Sequence, residues 1–171
     1  MKNRLLTVLC VVFTLLDVFP VWARAPDVAP VNNNEYLEEC GGCHFPYQPG
    51  LLPAGSWEKM MLKLDDHFGE NAELGADVRK RLTQYLVNNA ANDASHKRSR
   101  KIMDSLGSAL PLRITEIPYI KKEHREIPQR LIKGNDKVKS LSYCDACHTT
   151  IQKGYFSERD IDIPGHGRWD D

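Results

Sequence analysis

Beyond its first 25 residues the chain has no apolar run long enough to cross a bilayer, which takes about 20 consecutive apolar residues. It has no net charge to spend on a polyanion either: 23 Lys and Arg stand against 23 Asp and Glu. The one dense basic run, His96-Lys97-Arg98-Ser99-Arg100-Lys101, lacks interleaved aromatics, so nucleic-acid binding is not supported. Spare cysteine is missing too. Cys10 lies in the N-terminal segment and the other four fall in two pairs, which leaves none for a separate disulfide.

The N-terminal segment has the form of an export leader. Lys2 and Arg4 make a positive start, and Leu5 to Leu16 an apolar stretch too short to hold as a membrane helix. Ala23-Arg24-Ala25 fits a small-x-small cleavage pattern, so residues 1–25 are expected to be removed and Cys10 with them. A retained anchor is the alternative, and Asp17 within the segment counts against it. Removing 25 of 171 residues leaves 146, enough for one domain or two very small ones.

Both cysteine pairs have the same form. Cys40-Gly41-Gly42-Cys43-His44 and Cys144-Asp145-Ala146-Cys147-His148 are Cys-x-x-Cys-His, the attachment pattern of c-type haem. Two thiols add to the two porphyrin vinyl groups, and the next histidine reaches the iron. Gly41 and Gly42 suit a backbone pressed against the ring. Zinc, redox dithiols and structural disulfides are the rival uses of such pairs. None of them needs a histidine at the same offset after both pairs, so the repeat favours two covalently bound haem c groups. Haem attachment in bacteria takes place on the exported side of the membrane, which agrees with a leader and places the protein in the periplasm.

Periodicity predicts a mainly α fold. Residues 32–44 read as a short helix running into the first motif. Residues 56–69 carry an apolar stripe of Trp57, Met60, Met61, Leu64 and Phe68, with Ser56 as N-cap and Gly69 past the end. A third helix is expected over 75–90, with Val78, Leu82, Tyr85 and Leu86 on one face. After the polar junction at 88–95, a helix is expected over 97–110 and another element opened by Pro118 and broken by Pro128. No second copy of the three-helix pattern follows the second motif, so most of its binding segment must precede it. The division that results is a leader at 1–25, a first haem domain at 26–95 and a second, atypical one at 96–171. Charge is uneven along it: ten acids and five bases in 26–92, six and twelve in 93–140, six and three in 141–171. That polarity either steers docking or covers solvated faces.

The second axial position of each iron decides what the protein does. A protein ligand there suits electron transfer; an open position permits ligand binding or catalysis. Four histidines lie outside the motifs. His67 extends the stripe of its helix, and His124 falls in the stripe Ile117, Ile120, His124, Ile127. Both are candidates, against the plainer role of a satisfied core histidine. His96 sits among Ser, Lys and Arg, and His166 in a turn between glycines. Met60, Met61 and Met103 fit helix stripes as core. Tyr36, Phe45, Trp57, Tyr143 and Trp169 are candidates to pack on a porphyrin or to be ordinary core.

The stretches ECGGCHFPYQPGLLPAGSW, LDDHFGENAEL, RITEIPYIKKEHREIP, CDACHTTIQKG and IPGHGRW together resemble an exported dihaem cytochrome c family. Its members donate electrons to the oxygen-binding monohaem cytochrome called sphaeroides haem protein. The resemblance runs over nearly all of the chain after the leader. It implies a class I cytochrome c-like first domain, a small atypical second haem-binding domain and bis-histidine ligation at both irons: His44 with His67, and His148 with His124. It also implies redox partner proteins, an oxygen-binding monohaem cytochrome as acceptor and a membrane-bound donor, with no stable membrane insertion of the mature chain. The reading is a periplasmic dihaem electron carrier rather than an enzyme. A dihaem peroxidase with one open haem is the alternative, and the length leaves little chain for its substrate pocket. A haem-based sensor, or a subunit of a larger membrane complex, has no signalling or anchor segment to support it.

Overall fold

The computed structural model describes residues 24–169, so the expected leader and the retained-anchor alternative lie outside the described residues, save Arg24 and Ala25. The fold is mainly α. Five helices are joined by short 3-10 turns: α1 Asn34–Gly41, α2 Ala54–Met61, α3 Ala76–Asn88, α4 Lys97–Leu106 and α5 Pro118–Glu123. Among the described residues no helix is long and apolar enough to cross a membrane.

Local chemistry explains most of the boundaries. The Tyr36 amide donates to Asn33 Oδ1 at 2.9 Å, which satisfies one of the N–H groups left free at the start of α1. α3 buries Leu82 and Leu86 and packs Val78 and Tyr85 at their edge, the face its sequence predicts. α5 opens on Pro118, where a missing N–H costs nothing, and ends against His124.

α2 departs from its expected limits. Ser56 is not the cap; it lies inside the helix, fully buried. Pro53 precedes the first turn, and the free Ala54 amide is taken up by Asn92 Oδ1 at 2.7 Å, 38 residues further along the chain. The helix stops at Met61, and Leu64–Asp66 continues as a 3-10 turn. Trp57, Met61 and Leu64 are buried and Met60 packs beside them, but Phe68 leaves the stripe and is exposed.

Two apolar cores result. The larger is built on Val28, Tyr36, Leu51, Leu52, Trp57, Leu82, Leu86, Ile102, Leu106 and Ile117. It draws on α1 to α4 and the start of α5, so it runs across position 95, where the sequence was divided. The smaller has three buried members, Ile132, Val138 and Ile163, with Ile127, Leu131, Leu141, Cys147, Ile161 and Trp169 packed around them. The stretch after the second motif contributes to it. Asp162–Ile163 (β1) pairs antiparallel with Gly167–Arg168 (β2), Ile163 is fully buried, and His166 is exposed in the intervening turn.

The N-terminal stretch ties the two parts together. The Asp27 and Val28 amides donate to the Gly154 carbonyl at 2.9 and 3.1 Å, and the Phe156 amide donates to Asp27 Oδ2 at 3.0 Å. Gly154 has φ +78°, and a Cβ there would lie 2.0 Å from the Val28 carbonyl oxygen, so no larger residue fits.

Candidate functional site

The first motif leaves the end of α1 and delivers His44 to a half-buried position. Its Nδ1–H donates to the Phe45 carbonyl at 2.8 Å, which leaves Nε2 as the free acceptor. Across from it stands His67, with ring centroids 6.1 Å apart and planes inclined by 19°. His67 is not on a helix, as its stripe suggests, but opens a tight turn. Its amide donates to the Glu70 carbonyl at 2.7 Å, and the two central residues, Phe68 and Gly69, have φ +60° and +100°. Positive φ at both central positions is the I′ geometry, unusual for a residue as bulky as phenylalanine. Two contacts offset that strain: the Arg113 guanidinium lies 4.0 Å over the Phe68 ring, and the same ring meets His67 edge-on at 4.9 Å. Burial, and then the charges of His44 and Arg113, hold the His67 imidazole below its usual range. Neutral imidazole is the form that binds a metal.

The second motif is a 3-10 turn, Cys144–Ala146, followed by His148. Opposite it the C-terminus of α5 presents His124, with ring centroids 6.0 Å apart and planes inclined by 70°. His124 Nδ1–H donates to the Ile120 carbonyl at 2.8 Å, the same arrangement as at His44. His148 Nδ1 is buried without a partner in the polypeptide, and burial, followed by the charges of His124 and Arg98, pushes its pKa down to about 4. Both rings and both Cys144 and Cys147 line one cavity of about 510 Å³, within the ~300–1,000 Å³ common for cofactor sites. Its charged lining is mixed: Lys97, Arg98, Lys101 and Lys122 stand with Asp27, Glu123, Glu126 and Glu158.

These residues fit haem and not its rivals. An imidazole nitrogen sits about 2 Å from a bound transition metal and its ring centre about 1 Å beyond, so two rings across one ion stand roughly 6 Å apart. Both pairs have that spacing. Histidines that ligate metals commonly donate their other ring N–H to a carbonyl, as His44 and His124 do. No three of His, Cys, Asp and Glu converge as a bare-ion site among the described residues, which is what zinc would require. The four motif sulfurs form no disulfide. Burial raises the Cys40 thiol to about 11 and the Cys144 thiol to about 12, the opposite of the lowered values of reactive dithiols. Gly41 and Gly42 crowd nothing in the polypeptide: added Cβ atoms would meet Pro46 at 3.7 Å and the Glu38 carbonyl at 3.9 Å. The polypeptide itself does not require glycine there, which accords with a bound group pressed on that face.

Most of the remaining candidates resolve into other roles. His96 is the residue before α4 and His166 packs on Trp169 at 5.9 Å, so neither joins a histidine pair. Met61 is buried in the larger core, with Met60 and Met103 packed against it. Tyr36 and Trp57 are core residues whose polar ends are used: Tyr36 Oη donates to the Tyr47 carbonyl and Trp57 Nε1 to the Pro49 carbonyl, each at 2.8 Å. Phe45 meets Tyr47 edge-on, while Tyr143, part-exposed, and Trp169, which also packs on the smaller core, both line the cavity of His124 and His148 and so stay candidates to pack on a porphyrin. Sequence reasoning missed Tyr47, Arg98, Arg113 and Phe156. Tyr47 lies 5.2 Å from the His44 ring and Phe156 5.4 Å from His148. The one signal for Tyr47 was its place three residues after a motif histidine.

The family profile described as dihaem cytochrome c matches residues 36–156, from α1 through the second motif. A solved diheme cytochrome type c from Shewanella baltica OS155 is 40% identical at a TM-score of 0.67, covering 81% of this chain and 98% of its own. Two structures of diheme cytochrome c from Rhodobacter sphaeroides are similar as well. One is 37% identical at a TM-score of 0.67, over 75% of this chain and 100% of its own. The other is 38% identical at a TM-score of 0.59, over 74% and 99%. No curated protein matches.

Proposed function

The chain belongs to the dihaem cytochrome c family, with two covalent haem c groups and haem-based electron transfer, and on that premise we propose a periplasmic carrier closed at both irons by histidine. The observation that supports closure is the two pairs of facing imidazoles, His44 with His67 and His148 with His124, 6.1 and 6.0 Å apart.

Each residue then has one task. Cys40 and Cys43 anchor the first haem, and Cys144 and Cys147 the second. His44 and His67 hold the first iron, His148 and His124 the second. The Phe45 and Ile120 carbonyls fix the tautomer of His44 and His124, so that Nε2 faces the metal. When bound, each iron supplies a one-electron ferric–ferrous couple. No side chain has to act as acid, base or nucleophile. With both axial positions taken, peroxide has no place to bind, which separates a carrier from the peroxidase alternative. Export with cleavage after Ala25 accords with the motif chemistry. The acceptor in this reading is an oxygen-binding monohaem cytochrome and the donor a membrane-bound protein, met through the uneven surface charge.

His67→Ala and His124→Ala are each expected to open one iron. Each should produce high-spin ferric absorption from one haem and bind about one carbon monoxide per protein on reduction; His96→Ala should do neither. Wild-type protein with a high-spin ferric band and rapid peroxide turnover without a partner would overturn the carrier reading.

A further inference from the structure

Tyr47 and Gln48 are consecutive residues, and both reach the second motif. Tyr47 Oη donates to the Ser142 carbonyl at 2.5 Å, two residues before Cys144. Gln48 Nε2 donates to the Ile151 carbonyl at 2.5 Å, three residues after His148. The two bonds bracket the second Cys-x-x-Cys-His on both sides. They come from the stretch that follows the first: the Tyr47 ring stands 5.2 Å from that of His44.

That stretch is itself anchored. The Tyr47 carbonyl accepts from Tyr36 and the Pro49 carbonyl from Trp57. Gln48 is fully buried and its Oε1 has no partner. A buried amide with one orphaned atom is costly, and methionine would fill similar space without that cost. The bond to Ile151 is therefore what a glutamine at this position provides.

We infer that Tyr47 and Gln48 are positioning residues that set the separation of the two haem sites, and with it the rate at which an electron moves between them. The inference rests on the carrier reading. One electron leaves a ferrous centre, which is oxidised, and reaches a ferric one, which is reduced; no bond is made or broken and no proton moves. Such transfer falls steeply with distance, so a small shift of the second motif is felt in the rate.

Tyr47→Phe and Gln48→Met test this in the full dihaem protein. The first keeps the ring beside His44 and loses the bond to Ser142; the second keeps the volume and loses the bond to Ile151. Redistribution of one electron between the haems is followed after pulsed reduction, and the magnetic interaction of the two ferric irons by electron paramagnetic resonance. Haem content and the low-spin spectrum are expected to be unchanged. The inter-haem rate should fall severalfold, and the magnetic interaction should change with it. Arg81→Ala, which breaks the Glu35–Arg81 ion pair between α1 and α3, should leave both unmoved. If either variant fails to load two haems, the other decides. A lowered melting temperature with unchanged rate and magnetic interaction overturns the inference while the carrier reading stands. High-spin iron in the wild type overturns both.

Discussion

The first histidine pair stands beside the larger core and the second between the two cores, His124 following Ile120 of the larger and His148 following Cys147 packed on the smaller, yet the two pairs have nearly the same spacing. His67 is presented by a turn whose strained Phe68 is clamped by Arg113, beside a core fed by all five described helices. His124 and His148 face each other across a cavity backed by three buried side chains. Most of the packing beside the first pair comes from the larger core; beside the second, the smaller core offers only Ile132, Val138 and Ile163 as buried members. A small core gains little from burial alone, so the second site is expected to depend on its haem more than the first.

Removing one haem at a time should break that comparison most visibly. Cys40→Ala with Cys43→Ala, and Cys144→Ala with Cys147→Ala, are each expected to lose about half the haem absorbance. Only the second double variant should lose amide-exchange protection across its neighbourhood, over 127–169, while α2 and α3 stay protected in both. Equal loss around both sites would show that neither core stands without its haem.

The smallest effect is spectroscopic. Nearly parallel imidazoles at 19° and crossed ones at 70° split the iron orbitals differently. The ferric protein should show two low-spin resonance signals, a rhombic one lost in His67→Ala and a more anisotropic one lost in His124→Ala. A single shared line shape would mean that the two ring arrangements are alike once haem is bound.

Much of this was legible in the sequence because it is local. The motifs, the stripe of α3, the proline that opens α5 and the apolar setting of His124 all depend on near neighbours. What could not be read depends on distant partners. Ser56 has the chemistry of a cap, but Asn92 supplies one from beyond α3, and the helix shifts accordingly. His67 fits a helical stripe, but the helix ends at Met61 and a turn with positive φ at Phe68 takes over. The β1–β2 pair was hidden because Ile161, Asp162 and Ile163 alternate over too few residues to stand out. The junction at 88–95 is polar in composition, yet the core closes around it through Ala90 and Ala91.

The latch at Gly154 has a consequence for the order in which the molecule is assembled. Asp27 and its partner Phe156 are 129 positions apart in the sequence, and such distant contacts form slowly because a long loop must close first. The residues made first after the leader are thus among the last to settle. Arg24 holds the Asp27 carboxylate at 2.8 Å, and its carbonyl accepts from Tyr155 Oη at 2.8 Å. Cleavage after Ala25 would take both contacts away. Leader removal would then loosen one side of the latch and leave the Gly154 and Phe156 amide bonds to hold it, which couples maturation at one end of the chain to closure over the second haem at the other.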